Sequence, residues 1–322
     1  MKKFLIVFTG ALLSTLFIAC NGANQNNDVH KDSAAGTRQT MAAAQPDSCE
    51  GIGEIDICTN SKGIDNFIIE EAEGRTMMAD FISIYRRDDQ GRVIIALDST
   101  YWLSACAVYA IETLLRNSRK PDGTLKYDGI RIHLACEVNA NPGTFPGQQY
   151  QNQSSAFIFP TMYRVAPGPN KSEHVDDRIR IPLTGGCTSP LLQDNSVARP
   201  KIEAFRSVYR REQTPQVKNA LSRSVWVESC VVYAMAALLR LPNAKLDGVN
   251  INLAAYNTLD PQRTPGQIDQ KQSTAILIPT SWVDGKHKDN WAIVDCLLKH
   301  AKALGWAPGG LNHGELCPQQ CE

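Results

Sequence analysis

A chain of 322 residues, with 33 basic side chains against 33 acidic ones, is long enough for about two domains and carries no formal net charge. The balance excludes a polyelectrolyte: there is no basic excess for capturing nucleic acid and no acidic block of the kind that makes a solvating tail. Hydrophobic residues make up 43% of the chain, and 17 Pro with 22 Gly is ordinary usage, so collagen-like and wholly disordered chains are excluded as well.

At the start, Met1-Lys2-Lys3 precedes the apolar run Phe4 to Ile18, which is too short for a comfortable membrane span and reads as a signal peptide over 1–19. The run closes on Leu16-Phe17-Ile18-Ala19-Cys20. This ending resembles the lipobox of bacterial lipoproteins, in which the cysteine is lipidated, for example with palmitate, and becomes the mature N-terminus. The resemblance implies lipidation of Cys20 and partnership with a membrane. Cleavage before Cys20 removes Lys2 and Lys3 and leaves the mature chain at about −2. Residues 20–46, rich in Asn, Gln, Ala, Ser and Gly, hold too little apolar surface to offset chain entropy and read as a flexible tether.

Residues 47–75 form an N-terminal extension with Cys49, Cys58 and a strand candidate at 67–69. Beyond it the chain repeats itself. FISIYRR at Phe81 to Arg87 recurs as FRSVYRR at Phe205 to Arg211, and YWLSACAVYAIETLLR from Tyr101 recurs as VWVESCVVYAMAALLR from Val225. DGIRIHLA from Asp128 recurs as DGVNINLA from Asp247, and QSSAFIFPT from Gln153 as QSTAILIPT from Gln272. The copies span 76–180 and 200–290. Each opens with a short helix candidate, 76–87 or 201–211. A second, amphipathic helix follows over 101–116 or 225–240, with Asp98 or Ser222 placed to cap it. Two strands come next: one alternates Ile130, Ile132, Leu134 or Val249, Ile251, Leu253 with polar or small residues, so that its other face meets water or a partner, and one is stopped by Pro160 or Pro279. A last helix over 290–304 and a cysteine-containing tail complete 291–322. The expected fold is therefore α+β: two homologous helix-helix-strand-strand units, with small antiparallel sheets packed on helices.

Few residues carry a chemical signature. Cys106 and Cys230, at equivalent positions, read either as nucleophiles or as small buried residues on a helix face. His174 with Asp176, and His287 with Asp289, form H-x-D pairs that read as weak metal ligands or as solvated loops. Arg131 and His133 in one copy face Asn250 and Asn252 in the other. Arg131, His133 and Asn252, with Gln148 and Gln267 of the PGQ loops, are the candidate ligand contacts. Cys49, Cys58, Cys136, Cys187, Cys296, Cys317 and Cys321 are an odd set in an oxidising compartment, where disulfides form. The tail spacing His313, Cys317, Cys321, with Cys296 or His300, leaves zinc open beside them. No G-x-S-x-G, H-E-x-x-H, P-loop, Rossmann or EF-hand pattern occurs, and no cofactor is expected.

The repeated Y-R helix, the D-G-[IV]-x-I and A-x-[IL]-x-P-T strands and the N-H-G-E-L-C-P-x-x-C ending resemble tandem-repeat proteins of Bacteroidota. That resemblance implies a bacterial envelope setting and carries no catalytic residues. The expectation is a lipid-anchored envelope protein, held in the outer membrane with its periplasmic or surface face open, that binds a carbohydrate, peptide or protein ligand without catalysis. The alternatives are a hydrolase using Cys106, Cys230 or an H-x-D metal centre, and a purely structural envelope protein.

Overall fold

The computed structural model describes residues 49, 51–54, 69–88, 90–136, 150–165, 172–177, 179–180, 193–194, 196, 198–209, 224–256 and 273–303. The signal peptide, the tether, both PGQ loops and the cysteine-containing tail lie outside these residues, as do Cys20, Cys58, Gln148, Cys187, Gln267, Cys317 and Cys321.

After a 3-10 turn at Ile52–Glu54, helix α1 runs over Glu71–Tyr85, starting five residues before its expected position. Glu71 and Glu73 in its first turn favour the positive end of the helix dipole. The first repeated segment continues with β1 (Thr100–Ser104), α2 (Ala105–Asn117), β2 (Gly129–Cys136), β3 (Ser154–Val165) and β4 (Ser172–Asp176). A small pair, β5 (Ile179–Arg180) and β6 (Gln193–Asp194), follows. The second segment then gives α3 (Ala198–Tyr209), β7 (Ser224–Glu228), α4 (Ser229–Leu239), β8 (Leu246–Ala255), β9 (Ser273–Val283) and β10 (Lys286–Asp289), and α5 (Trp291–Ala303) closes the described chain.

The molecule is α+β with antiparallel sheets packed on helices, and four local readings change. Tyr101 and Val225 begin strands rather than helices. Tyr101 and Leu103 are buried while Trp102 and Ser104 are half-buried, a period of two that overlaps the four-residue step from Trp102 to Cys106. Ser104, not Asp98, caps α2, its Oγ accepting from Ala107 N at 3.2 Å. Strands β3 and β9 run through Pro160 and Pro279. Each proline contributes a carbonyl, accepting from Asp177 N at 2.9 Å or Asn290 N at 2.7 Å. The H-x-D residues lie on edge strands β4 and β10 rather than in loops.

The sheets exchange strands between the repeated segments. One runs β4-β3-β2-β7 and the other β1-β8-β9-β10. Strand β7 of the second segment thus completes the first segment's sheet, with Gly129 opposite Glu228 and Arg131 opposite Trp226. Strand β1 completes the second segment's sheet, with Ser104 opposite Gly248 and Trp102 opposite Asn250. One hydrophobic core runs between the inner faces, joining Ile130, Ile132 and Val227 to Ile251, Leu253 and Leu103, with Ile111 and Leu115 of α2 and Val232 and Leu239 of α4. At the seam between α2 and α4, Arg116 lies 3.8 Å over the Tyr233 ring and Arg240 lies 4.6 Å over Tyr109. Both arginines also bond the buried Glu112.

Every residue of β2 is buried, so its second face meets neither water nor a partner. Phe159 and Ala135 pack there with Ala198 and Ile202 of α3, and on β8 Ala254 packs with Met77 of α1 and Trp291 of α5. Among the described residues no helix is long and apolar enough to cross a membrane.

Candidate paired aromatic–histidine site

The repeated D-G dipeptide opens each central strand, and its two residues serve different ends. Asp128 accepts from Thr161 Oγ1 at 2.6 Å and from His174 Nδ1 at 2.8 Å. Trp226 Nε1 in turn donates to Thr161 Oγ1 at 3.0 Å, and the His174 ring stacks on Trp226 with centroids 3.9 Å apart. The second sheet repeats the arrangement. Asp247 accepts from Thr280 Oγ1 at 2.6 Å and from His287 Nδ1 at 2.7 Å. Trp102 Nε1 donates to Thr280 at 3.2 Å, and His287 stacks on Trp102 at 3.6 Å.

Glycine is required because the indole crosses directly over it. A Cβ on Gly129 would stand 2.4 Å from Val227 O and 2.9 Å from Trp226 Nε1. On Gly248 it would stand 2.4 Å from Leu103 O and 2.6 Å from Trp102 Nε1. In each cluster the tryptophan comes from the exchanged strand, so each site is completed across the two segments.

An Asp carboxylate on Nδ1 fixes the histidine ring and leaves Nε2 as its second hydrogen-bonding atom. Beside each histidine an aromatic side chain faces water. Tyr163 is 49% exposed, its ring 5.7 Å from His174, and Trp282 is 59% exposed, 4.6 Å from His287 and nearly edge-on. The two occupy equivalent positions after the P-T of each repeat. Trp282 is held out on a hairpin whose two-residue turn, Asp284-Gly285, has φ of 53° and 74°, the combination that Asp-Gly accepts.

The electrostatics of the two clusters differ. Burial alone would raise the Asp128 carboxyl, but hydrogen bonds from His174 and Thr161, with the nearby imidazole, outweigh it and hold Asp128 below the usual carboxylate range. Burial pushes the Glu228 carboxyl up, with Asp128 adding to the shift and His174 opposing it. Glu228 is the β7 residue opposite Gly129, and Ser104 stands in the corresponding place opposite Gly248.

The H-x-D pairs divide rather than converge. His174 and His287 turn to the D-G aspartates, while Asp176 and Asp289 turn to the central strands. Asp176 bonds His133 Nε2 at 2.7 Å and Arg131 Nη1 at 3.1 Å, and Arg131 Nη2 reaches His174 O at 2.5 Å. Asp289 accepts from Asn250 Nδ2 at 2.7 Å and Asn252 Nδ2 at 3.3 Å, while Thr100 Oγ1 donates to Asn252 Oδ1 at 2.7 Å. Among the described residues no group of three or more His, Cys, Asp or Glu is placed to hold a metal ion.

Arg131, His133 and Asn252, expected to contact a ligand, are instead buried, being 5%, 8% and 1% exposed. They fasten the edge strands, because both faces of β2 and β8 are covered. Cys106 and Cys230 are half-buried and disulfide-bonded, so neither offers the thiolate a nucleophile needs. Cys49 is joined to Cys296, their Cα atoms 5.3 Å apart, which removes Cys296 from any zinc set. Cys136 is a thiol, fully buried at the end of β2.

Sequence reasoning passed over Asp128, Asp247, Thr161, Thr280, Trp102, Trp226, Tyr163 and Trp282. The signal was present for all but the last two, because the D-G, the P-T and the tryptophan are identical in both copies. Comparison with protein-family models, curated proteins and solved structures finds no match.

Proposed function

We propose that this is a lipid-anchored protein of the bacterial cell envelope that binds carbohydrate, without catalysis, at the two aromatic–histidine clusters. The observation that carries the reading is that an exposed aromatic, Tyr163 or Trp282, stands at equivalent positions in both segments beside a histidine locked by a carboxylate and stacked on an indole. A sugar ring offers an apolar face for the exposed aromatic and hydroxyls for the imidazole edge and neighbouring polar groups. A rigid aromatic also loses little conformational freedom when it binds. The anchor rests on the lipobox at Cys20, the binding site on the hairpins, and each is tested separately.

Titration of the protein with neutral oligosaccharides is expected to quench tryptophan fluorescence saturably. Trp282→Ala should weaken that binding about ten-fold, a typical loss for an aromatic anchor at a contact surface. If no oligosaccharide in a broad panel quenches, or Trp282→Ala binds as the parent does, the carbohydrate reading is wrong. Labelled palmitate fed to expressing cells should enter the parent chain and not Cys20→Ser; an unlabelled parent chain would remove the anchor.

A further inference from the structure

We propose that the two clusters differ in ligand: the first prefers a sugar carrying a protonated amine, selected by the Glu228 carboxylate, while the second does not distinguish it from a neutral sugar. This preference rests on the carbohydrate reading above and sharpens it.

The clusters match in Asp, Thr, Trp and His, and they differ where β7 and β1 meet the central strands. Glu228 stands opposite Gly129, and Ser104 stands opposite Gly248. Each is also the N-cap of the helix that follows it. Ser104 does what that position asks, its Oγ accepting from Ala107 N at 3.2 Å. Glu228 makes no side-chain bond to α4, and among the described residues no donor bonds its carboxyl. The charged groups that act on it are His174, which favours its ionisation, and Asp128, which opposes it. The chain thus gives up a helix cap and half-buries one acid beside another, with no Lys or Arg among the described residues to answer it. A local rule broken with no return inside the fold, and kept in the other copy, marks a residue placed for something from outside.

Position on the sheet says what that is. Residues directly opposite one another share a face, so Asp176, Thr161, Gly129 and Glu228 form one row across β4, β3, β2 and β7. Tyr163 lies two residues beyond Thr161 on the same face. From β3 to β7 is two strand spacings, about 10 Å. The Trp226 indole, which crosses Gly129 to reach Thr161, and the His174 ring stacked on it span that gap. A sugar ring laid against Tyr163 therefore brings a substituent, or the next ring of an oligomer, to Glu228. A hydroxyl would give the carboxylate a donor and leave the repulsion from Asp128 in place; an ammonium group supplies the donor and offsets the repulsion. A metal ion fits poorly, because among the described residues no three ligating groups converge. In the second cluster Ser104 is uncharged and already engaged, so an amine gains nothing there.

The test uses the full chain, titrated at pH 6 with chitotriose, whose amines are then largely protonated, and separately with its fully N-acetylated form, which has the same linkage and no charge. By NMR, the indole N–H resonances of Trp226 and Trp102 report the two clusters separately. At Trp226 the amine form should bind about ten-fold tighter than the acetylated form, the low end for a charged hydrogen bond because the carboxylate is half exposed. At Trp102 the two should agree within two-fold. Glu228→Gln keeps the size, deletes the charge and should bring the Trp226 ratio to about one. Glu228→Ser, which installs the cap of the other copy, should do the same with a urea midpoint at or above the parent's. The proposal is overturned by equal affinities at Trp226 in the parent, by a ratio that survives both substitutions, or by a Glu228→Ser midpoint below the parent's, which would make Glu228 a support of the fold. Chitotriose that leaves Trp226 unmoved overturns it as well, and the carbohydrate reading falls with it only if the panel of neutral oligosaccharides also fails to bind.

Discussion

Gly129 and Gly248 show how much of the site rests on single atoms. Each admits a tryptophan from the exchanged strand, and the tryptophan supports the histidine. Gly129→Ala places a Cβ against a backbone carbonyl that cannot yield, so β7 must move away. The expected cost is about 2–4 kcal/mol in urea unfolding, with loss of the ring-current shift that Trp226 imposes on His174. A variant within 0.5 kcal/mol of the parent would mean that the close approach is not needed. The carboxylates beside this glycine answer to pH in opposite senses. Asp128 has its folded pKa depressed, so the stability it gives is present above the unfolded value and lost as pH falls through the folded one, below about 4. Glu228 is raised, so its ionisation is disfavoured in the folded state, and it weighs on stability once pH passes the unfolded value. Asp128→Asn should therefore lower stability at pH 7 and flatten the acid limb, whereas Glu228→Gln should raise stability at pH 7 and change nothing at pH 3. Identical acid limbs in parent and Asp128→Asn would refute the assignment. At this scale the sequence was legible in identity and not in role. D-G and P-T stood out as repeated letters, but nothing local says that the aspartate serves a histidine some 40 residues on.

At the scale of elements, what was readable were segments with one strong period. Strands β2 and β8 alternate cleanly, and α5 spaces Trp291, Val294, Leu297 and Leu298 on one face; both appear where periodicity places them. Strands β1 and β7 were hidden because each runs straight into a helix, and a tryptophan four residues before a cysteine satisfies either period. The edge strands β4 and β10 were hidden for another reason. They are short and polar, as an edge that must avoid pairing with other chains is, and so they read as loops. Polarity also misled at Arg131, His133 and Asn252. A polar residue on a strand is most simply exposed, but here Asp176 and Asp289 on the edge strands reach across and satisfy it. Those side chains hold β4 and β10 against the central strands, and thereby hold His174 and His287 under the exposed aromatics.

For the molecule as a whole, the exchange of β1 and β7 turns two stretches of similar sequence into one cooperative object. Neither sheet is complete without the other segment, and one core spans both. No sequence period reports which copy a strand joins, because both copies present the same edge and the choice lies in contacts more than 90 residues apart. The halves are therefore expected to unfold together. Urea unfolding followed by tryptophan fluorescence and by far-ultraviolet circular dichroism should give one coincident transition, and two separated transitions would show that the segments stand alone. The same symmetry gives two aromatic–histidine clusters on one chain, and under the proposed carbohydrate reading each would raise the effective concentration for the other on a repeating polymer. Native mass spectrometry of the protein with a short neutral oligosaccharide measures the stoichiometry that this account turns on. Two ligands per chain are predicted, falling to one in Trp282→Ala, to one in Tyr163→Ala and to none in the double variant. A parent chain that takes up no sugar, or a stoichiometry unmoved by both substitutions, would contradict it.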